Sequence, residues 1–262
     1  SHVRDLLAAT WIDVEDRTAR LTAPVLAAQA GHTGPAAEDV LRIEYRRQLV
    51  GIAALDLEAD IPTDVVHRVA AALADLAQAA LGAAHDLAVA MLGARSGATR
   101  LAVIAMGKTG GRELNYISDV DVIFVVEPAD GVTEERAVEV GTVLAAATMK
   151  ACGSSTAEGT LWPVDAALRP EGKQGALVRS LDSHLSYQRA CLHAIDYLTK
   201  FGYSPIQAYM ILGAAPIEGR LSGVVDIPNS CSTVYIPTSI FDFDVGMYTV
   251  EQELGMSTTP DR

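Results

Sequence analysis

Asp119 and Asp121 stand two residues apart at the head of an apolar run, Val120-Asp121-Val122-Ile123-Phe124, shortly after a glycine turn at Gly110-Gly111. In a strand, successive side chains alternate faces, so the two aspartates point one way and Val120 and Val122 the other. Two carboxylates side by side repel: at ~4 Å and an effective dielectric of ~20 the cost is roughly 4 kcal/mol. A shared divalent cation turns that cost into a gain. Oxygen-only ligands suit Mg²⁺, and Mg²⁺ acting with phosphates points to phosphoryl or nucleotidyl transfer. Asp165, in a later apolar run, supplies a third carboxylate. Gly110 and Gly111 can bring backbone N–H groups close to a phosphate. Ser118 adds a hydroxyl donor, and Lys108 and Arg169 can offset phosphate charge. An Asp-x-Asp pair alone is weak evidence, because exposed strand faces often carry acids; the glycine turn and Asp165 favour the site. Lys108 reads equally as a solvated charge, and Arg169, before Pro170, as a structural cap.

The elements that must position these groups follow from pattern. Residues 1–95 read as helical. Val40 to Leu57 follows the Gly34-Pro35 break with apolar residues near helical spacing. Pro62-Thr63-Asp64 opens a long packing helix to Leu92, with Thr63 or Asp64 as its cap. His67 and His85 read as surface or packing residues. Leu101 to Met106 has the length and continuity of a buried strand. Gly107 to Gly111 follows as a turn, and Asp119 to Val126 as a second strand. Val132 to Cys152 reads as a helix, with Glu134, Glu135 and Glu139 early and Lys150 late, as the helix dipole prefers. Leu161 to Leu168, carrying Asp165, is the third strand. The order strand, turn, strand, helix, strand is an α/β or α+β pattern.

Length and composition set the outer bounds. A chain of 262 residues accommodates one large domain or two ordinary ones, and its 50% hydrophobic content is enough for a sizeable core. Few aromatics and abundant alanine favour helices. A formal net charge of −13 argues against nonspecific nucleic-acid binding, which needs Lys and Arg against phosphates. No stretch reads as a transmembrane helix or a signal peptide, so neither nucleic acid nor membrane is an expected partner. Cys152, Cys191 and Cys231 form no Cys-x-x-Cys pair, and are expected to be free thiols in a reducing cytoplasm. The chain opens on Ser1-His2 without a methionine, which reads as a fragment or a processed chain.

The ordered run Gly107-Lys108-x-Gly110-Gly111-Arg112-Glu113-Leu114-Asn115-Tyr116-x-Ser118-Asp119-x-Asp121, with Val164-Asp165-x-x-Leu168-Arg169-Pro170-Glu171-Gly172, resembles the bifunctional adenylyltransferase and adenylyl-removing enzymes of glutamine synthetase. The similarity continues through Gly175-Ala176-Leu177-Val178-Arg179 and includes Leu41-Arg42-Ile43-Glu44-Tyr45-Arg46-Arg47, so that it covers roughly residues 1–187. The resemblance implies an α+β, nucleotidyltransferase-like mixed sheet over 96–187, behind a helical region over 1–95. It implies that Asp119, Asp121 and Asp165 bind Mg²⁺. The Arg-Glu-Leu-Asn-Tyr variant resembles the copy that removes AMP from a tyrosine of glutamine synthetase: inorganic phosphate attacks the adenylyl phosphorus and ADP is released. ATP-dependent adenylylation is the alternative chemistry. Thr109 occupies a position that is usually apolar or small in this family. Glutamine synthetase, and with it the PII signalling protein, are the partners the resemblance implies.

After Tyr187 the character changes. Residues 189–198 and 205–212 read as helices, the second started by Ser204-Pro205. Residues 213–229 read as turns and a short strand, and Thr233 to Pro237 as another strand. This stretch, through Ile240-Phe241-Asp242-Phe243-Asp244, resembles the C-terminal part of the acetamidase/formamidase family. The chain thus reads as a fusion joined near Tyr187, with a foreign α/β tail over 188–262. Apolar patches facing missing amidase partners make that tail a candidate for partial disorder or association. His193, Glu218, Asp226 and Cys231 lack any spacing that orients a nucleophile. A binding module docking on glutamine synthetase or PII, and an amidase fragment, are the remaining functional alternatives.

Overall fold

The computed structural model describes residues 12–31, 35–169, 172–215, 217–226 and 229–245. In chain order they form α1 (Val14–Gly31), α2 (Pro35–Leu57), α3 (Pro62–Leu92), β1 (Thr99–Ala105), a one-turn α4 (Gly107–Gly110), β2 (Val120–Pro128), α5 (Glu134–Gly153), β3 (Val164–Asp165) and β4 (Val178–Ser180). Then follow α6 (Leu181–Thr199), α7 (Pro205–Ala214), β5 (Glu218–Asp226) and β6 (Asn229–Tyr235). The described chain divides into two compact units, Ser1–Ser180 and Leu181–Arg262.

The first unit is built around β2. Val120, Val122, Phe124 and Val126 are buried on one face and Ile123 and Val125 on the other, so the strand needs cover on both sides. β1 runs antiparallel to it, from Thr99 opposite Pro128 to Ala105 opposite Val122. On its other edge two short strands run parallel to it: β3 beside Val120 and Asp121, and β4 beside Phe124 to Val126. A small mixed sheet behind a run of long helices is an α+β fold, of the nucleotidyltransferase-like kind expected.

Helix α3 supplies much of the core. Ala77, Ala80 and Ala84, with Leu76 and Leu87, are essentially inaccessible, and the helix packs against α1, α2 and α5. Alanine on a contact face lets helices approach closely. By length and mean hydropathy (1.3) Pro62–Ala98 passes for a membrane-crossing helix, unlike the expectation above; half of its apolar window is buried inside the fold, as in a core helix. Its cap also differs from expectation. Ile61 is the N-cap with no side-chain bond, and Thr63 and Asp64 lie inside the first turn. Pro62 at the first helical position has no N–H to satisfy, which moves the boundary one residue earlier. His67 is exposed and His85 half-buried on this helix, neither near the acids' strands in the chain, as expected of surface and packing residues.

The expected third strand, Leu161 to Leu168, shrinks to Val164–Asp165. Pro163 contributes only its carbonyl, which accepts the Val120 N–H at 3.1 Å. Two residues later the Asp165 carboxylate takes the Ala167 N–H at 2.7 Å, so that amide is lost to a ladder. Strand β4 was not legible: three residues are too few for a periodic signal. Helix α5 carries Thr133 as N-cap, accepting from the Arg136 N–H, and it ends at Gly153, just after the buried Cys152. Burial pushes the Cys152 thiol up to about 12. Cys152 and Cys191 are both free.

In the second unit, α6 begins at Leu181, earlier than the expected 189, and runs without a break through Tyr187. Ser204 and Gln207 close a capping box on α7. β5 and β6 pair antiparallel; β5 lies where turns and a short strand were expected, and β6 overlaps the strand expected over Thr233 to Pro237. Leu198, Ala208 and Leu212 form a small core, and Tyr203 stacks on Phe243 at 6.3 Å. The described part of the tail therefore packs on itself. The side chains of Glu218, Asp226 and Cys231 lie outside the described residues. His193 lines a cavity of about 450 Å³ between α6 and β6.

Helix α5 lies hard against the sheet at Gly141, where a Cβ would sit 2.3 Å from Val126 Cγ1. Gly141→Ala is therefore expected to destabilise the first unit by about 1–3 kcal/mol through overpacking, read as a lower urea midpoint at unchanged slope.

Candidate functional site

The alternation expected at the start of β2 is observed. Val120 and Val122 are fully buried, and Asp119 and Asp121 face away from them. Asp165 lies directly opposite Asp121 in the parallel register of β3. One carboxylate oxygen from each of the three falls within 4.8 Å of the others. Asp119 is exposed and the other two are half-buried. The Asp121 carboxyl is held above the usual carboxylate range, first by burial and then by the charges of Asp119 and Asp165, while Lys108 pulls it back. Three clustered carboxylate oxygens are a fitting donor set for Mg²⁺.

The glycine segment meets these acids from the end of β1. The Met106 N–H donates to the Asp121 carbonyl at 2.9 Å, one residue past the β1 ladder. Gly107 then takes a positive φ of 52°, and a Cβ there would lie 2.6 Å from Asp121 Oδ2. Only glycine lets the carboxylate rest against the turning backbone. A Cβ on Gly110 would lie 2.5 Å from the Ala105 carbonyl oxygen, so its requirement is also for space. The Gly110 and Gly111 amides, expected to approach a phosphate, are engaged within their own segment. They donate to the Met106 and Gly107 carbonyls, each at 2.9 Å, because the segment closes a helical turn instead of an open loop.

Lys108 is exposed, and its ammonium donates to Ser118 Oγ at 3.4 Å, so both expected residues stand beside Asp119 and Asp121. Arg169 makes the contacts of a structural cap. Its guanidinium donates to the carbonyls of Ala166 and Gly175, the latter from Nε at 3.3 Å and Nη2 at 3.1 Å, and so clasps the loop after β3. Most of its donors are engaged by backbone carbonyls. Thr109 is buried, with its hydroxyl unpartnered among the described contacts.

Arg112 and Tyr116, quoted above only as part of a resemblance, have supporting contacts that the sequence did not disclose. Arg112, at φ 57°, pairs with Asp75 of α3 at 2.7 Å. Tyr116 donates its hydroxyl to Asp56 Oδ2 of α2 at 2.8 Å, and burial followed by the Asp56 carboxylate raises its pKa. These contacts tie the loop between α4 and β2 to the helical region. In the sequence Asp56 and Asp75 look like ordinary charges on helix surfaces, and no local pattern marks them.

An α+β unit with one carboxylate on the central strand, another just before it, a third on its parallel neighbour and a glycine turn alongside defines a nucleotidyltransferase-like domain. The model of the glutamate-ammonia ligase adenylyltransferase family matches residues 7–192, and the chain belongs to that family. Its relatives include bifunctional glutamine synthetase adenylyltransferase/adenylyl-removing enzymes. That of Streptomyces avermitilis is 50% identical over 173 residues, covering 66% of this chain and 17% of the relative. That of Cutibacterium acnes is 53% identical over 187 residues, covering 71% and 19%, and that of Corynebacterium glutamicum 42% over 199 residues, covering 72% and 18%. The chain thus spans less than a fifth of the length of these relatives. The model of the acetamidase/formamidase family matches residues 167–243, overlapping the first match.

Two expectations follow from the geometry. Because the Asp121 carboxyl is raised in the fold, its charged form costs stability that the protonated form does not. That cost is absent below the ordinary carboxylate range and appears as pH rises through the raised value. Asp121→Asn should therefore melt higher than the parent at neutral pH in a chelator, by at most about 3 °C given solvent screening, with the gap closing as pH falls. In Gly107→Ala, the methyl group and the positive φ should displace the Asp121 carboxylate, so Mn²⁺ affinity should fall at least about tenfold in an electron paramagnetic resonance titration.

Proposed function

We propose that the chain is a Mg²⁺-dependent nucleotidyltransferase domain that removes AMP from an adenylylated tyrosine of glutamine synthetase. The observation that carries this reading is the register of Asp121 against Asp165 with Asp119 beside them. The relatives' names supply glutamine synthetase as the substrate protein. The Arg112-Glu113-Leu114-Asn115-Tyr116 variant favours removal over addition.

In that reaction an oxygen of inorganic phosphate bonds to the adenylyl phosphorus, and the bond from that phosphorus to the tyrosine oxygen breaks. The products are ADP and tyrosine, whose oxygen takes up a proton. Asp119, Asp121 and Asp165 would hold Mg²⁺, which when bound supplies charge neutralisation and alignment for the reacting phosphates. Gly107 keeps the Asp121 carboxylate close to the backbone. Lys108, exposed beside the acids, offers its charge to the incoming phosphate, and Ser118 Oγ steadies its ammonium. Transfer of AMP from ATP would use the same carboxylates in the opposite direction. The second unit has no role in this reading.

The test is ADP release from adenylylated glutamine synthetase in phosphate and Mg²⁺. The parent chain should give phosphate-dependent ADP and the Asp119→Asn/Asp121→Asn variant none. Equal ADP from both would remove the carboxylates from the chemistry, and no ADP from the folded parent would refute the activity of this chain.

A further inference from the structure

The strand that carries Asp165 is two residues long, and only Val164 and Asp165 pair with β2. So short a ladder is a weak hold on a carboxylate that faces the like charges of Asp119 and Asp121. The hold comes from α2. Arg42 is fully buried, and its Nε donates to the Gly159 carbonyl at 2.7 Å while Nη2 donates to the carbonyls of Ala151, at 3.1 Å, and Ser154. Those carbonyls lie at the end of α5 and in the turn that leads into β3. One turn along α2, the Tyr45 hydroxyl accepts the Trp162 indole N–H at 3.1 Å, and the two rings meet edge to face at 6.4 Å. Trp162 is two residues before Val164. Arg46 donates to the Glu158 carbonyl in the same turn. Positions 42, 45 and 46 share one helix face.

We propose that this face of α2 sets the place of Asp165 in the acidic site, with Arg42 and Tyr45 as positioning residues that touch no reacting atom. The inference rests on the reading of the three carboxylates as a divalent-cation site. Arg42 holds three separate carbonyls of one segment from a rigid fork, which a lysine ammonium cannot span. Loss of the fork frees the segment and, with it, Asp165.

The experiment is a Mn²⁺ titration of the full chain by electron paramagnetic resonance, at a temperature where circular dichroism shows each variant folded. Arg42→Lys should weaken Mn²⁺ about tenfold, as loss of an outer support does, and Tyr45→Phe should weaken it less. In an Asp165→Asn background neither change should have a further effect, because both act through Asp165. Val25→Ala, a core truncation on α1, should lower the melting temperature and leave Mn²⁺ affinity unchanged. If Arg42→Lys does not fold, Tyr45→Phe carries the same cycle. The inference is overturned if the positioning variants bind Mn²⁺ like the parent, or if their effect persists in full beside Asp165→Asn. Asp121→Asn separates the two readings: if the parent binds no Mn²⁺, or Asp121→Asn binds it equally, the cation site fails and the inference falls with it. If Asp121→Asn abolishes binding and the positioning variants do not weaken it, the inference alone fails.

Discussion

A guanidinium with no access to water is the constraint on which much of the first unit depends. Removing such a charge from solvent costs several kcal/mol unless its donors are satisfied and its field is opposed. Arg42 meets both conditions. Its partners are backbone carbonyls, several at the C-terminal end of α5, where unsatisfied carbonyls make the helix end negative. The Ser154 hydroxyl links it onward to Glu38, which places a carboxylate near the charge. The arrangement fixes three things together: the helical region, the end of α5 and the turn before β3. None of the three can move without leaving either a buried cation or a set of carbonyls unpaired.

The acids are therefore supported by helices that carry none of them. α2 also reaches the loop before β2 through Asp56 and Tyr116, and α3 reaches it through Asp75 and Arg112. Both chain segments that deliver carboxylates thus end on the same helical scaffold. That explains why the helical region and the sheet form one compact unit. Asp119, Asp121 and Asp165 repel one another against this scaffold, and the Asp121 carboxyl is raised first by burial and then by the other two charges.

Much of this was legible in the sequence, and the rest was hidden for identifiable reasons. Period-2 alternation around Asp119 and Asp121 and the later Asp165 sufficed to name the acids, because strand geometry dictates which way neighbouring side chains point. The long apolar pattern of α3 was equally plain. The lengths of β3 and α4 were not, since they turn on local hydrogen bonds that no pattern marks: Ala167 to Asp165, and Gly110 and Gly111 to Met106 and Gly107. Arg42 shows the limit most clearly. A lone arginine on an amphipathic helix reads as solvated, and only the tertiary fold reveals that it faces inward. Arg169 was open between phosphate and cap, and its bond to Gly175, 6 residues on in the chain, is a contact that no local pattern announces.

Cys152 sits where α5 meets the Arg42 clasp. Its thiol is inaccessible and stays protonated far above neutral pH, and its own carbonyl receives the Leu161 N–H from the segment that runs toward β3. Thiol reagents act on the thiolate and need access to it. In the closed fold Cys152 offers neither, whereas the half-buried Cys191 keeps some contact with solvent. The chain thus contains, at the joint between helices and sheet, an internal chemical clock: the rate at which this one sulfur becomes modifiable is the rate at which the joint opens.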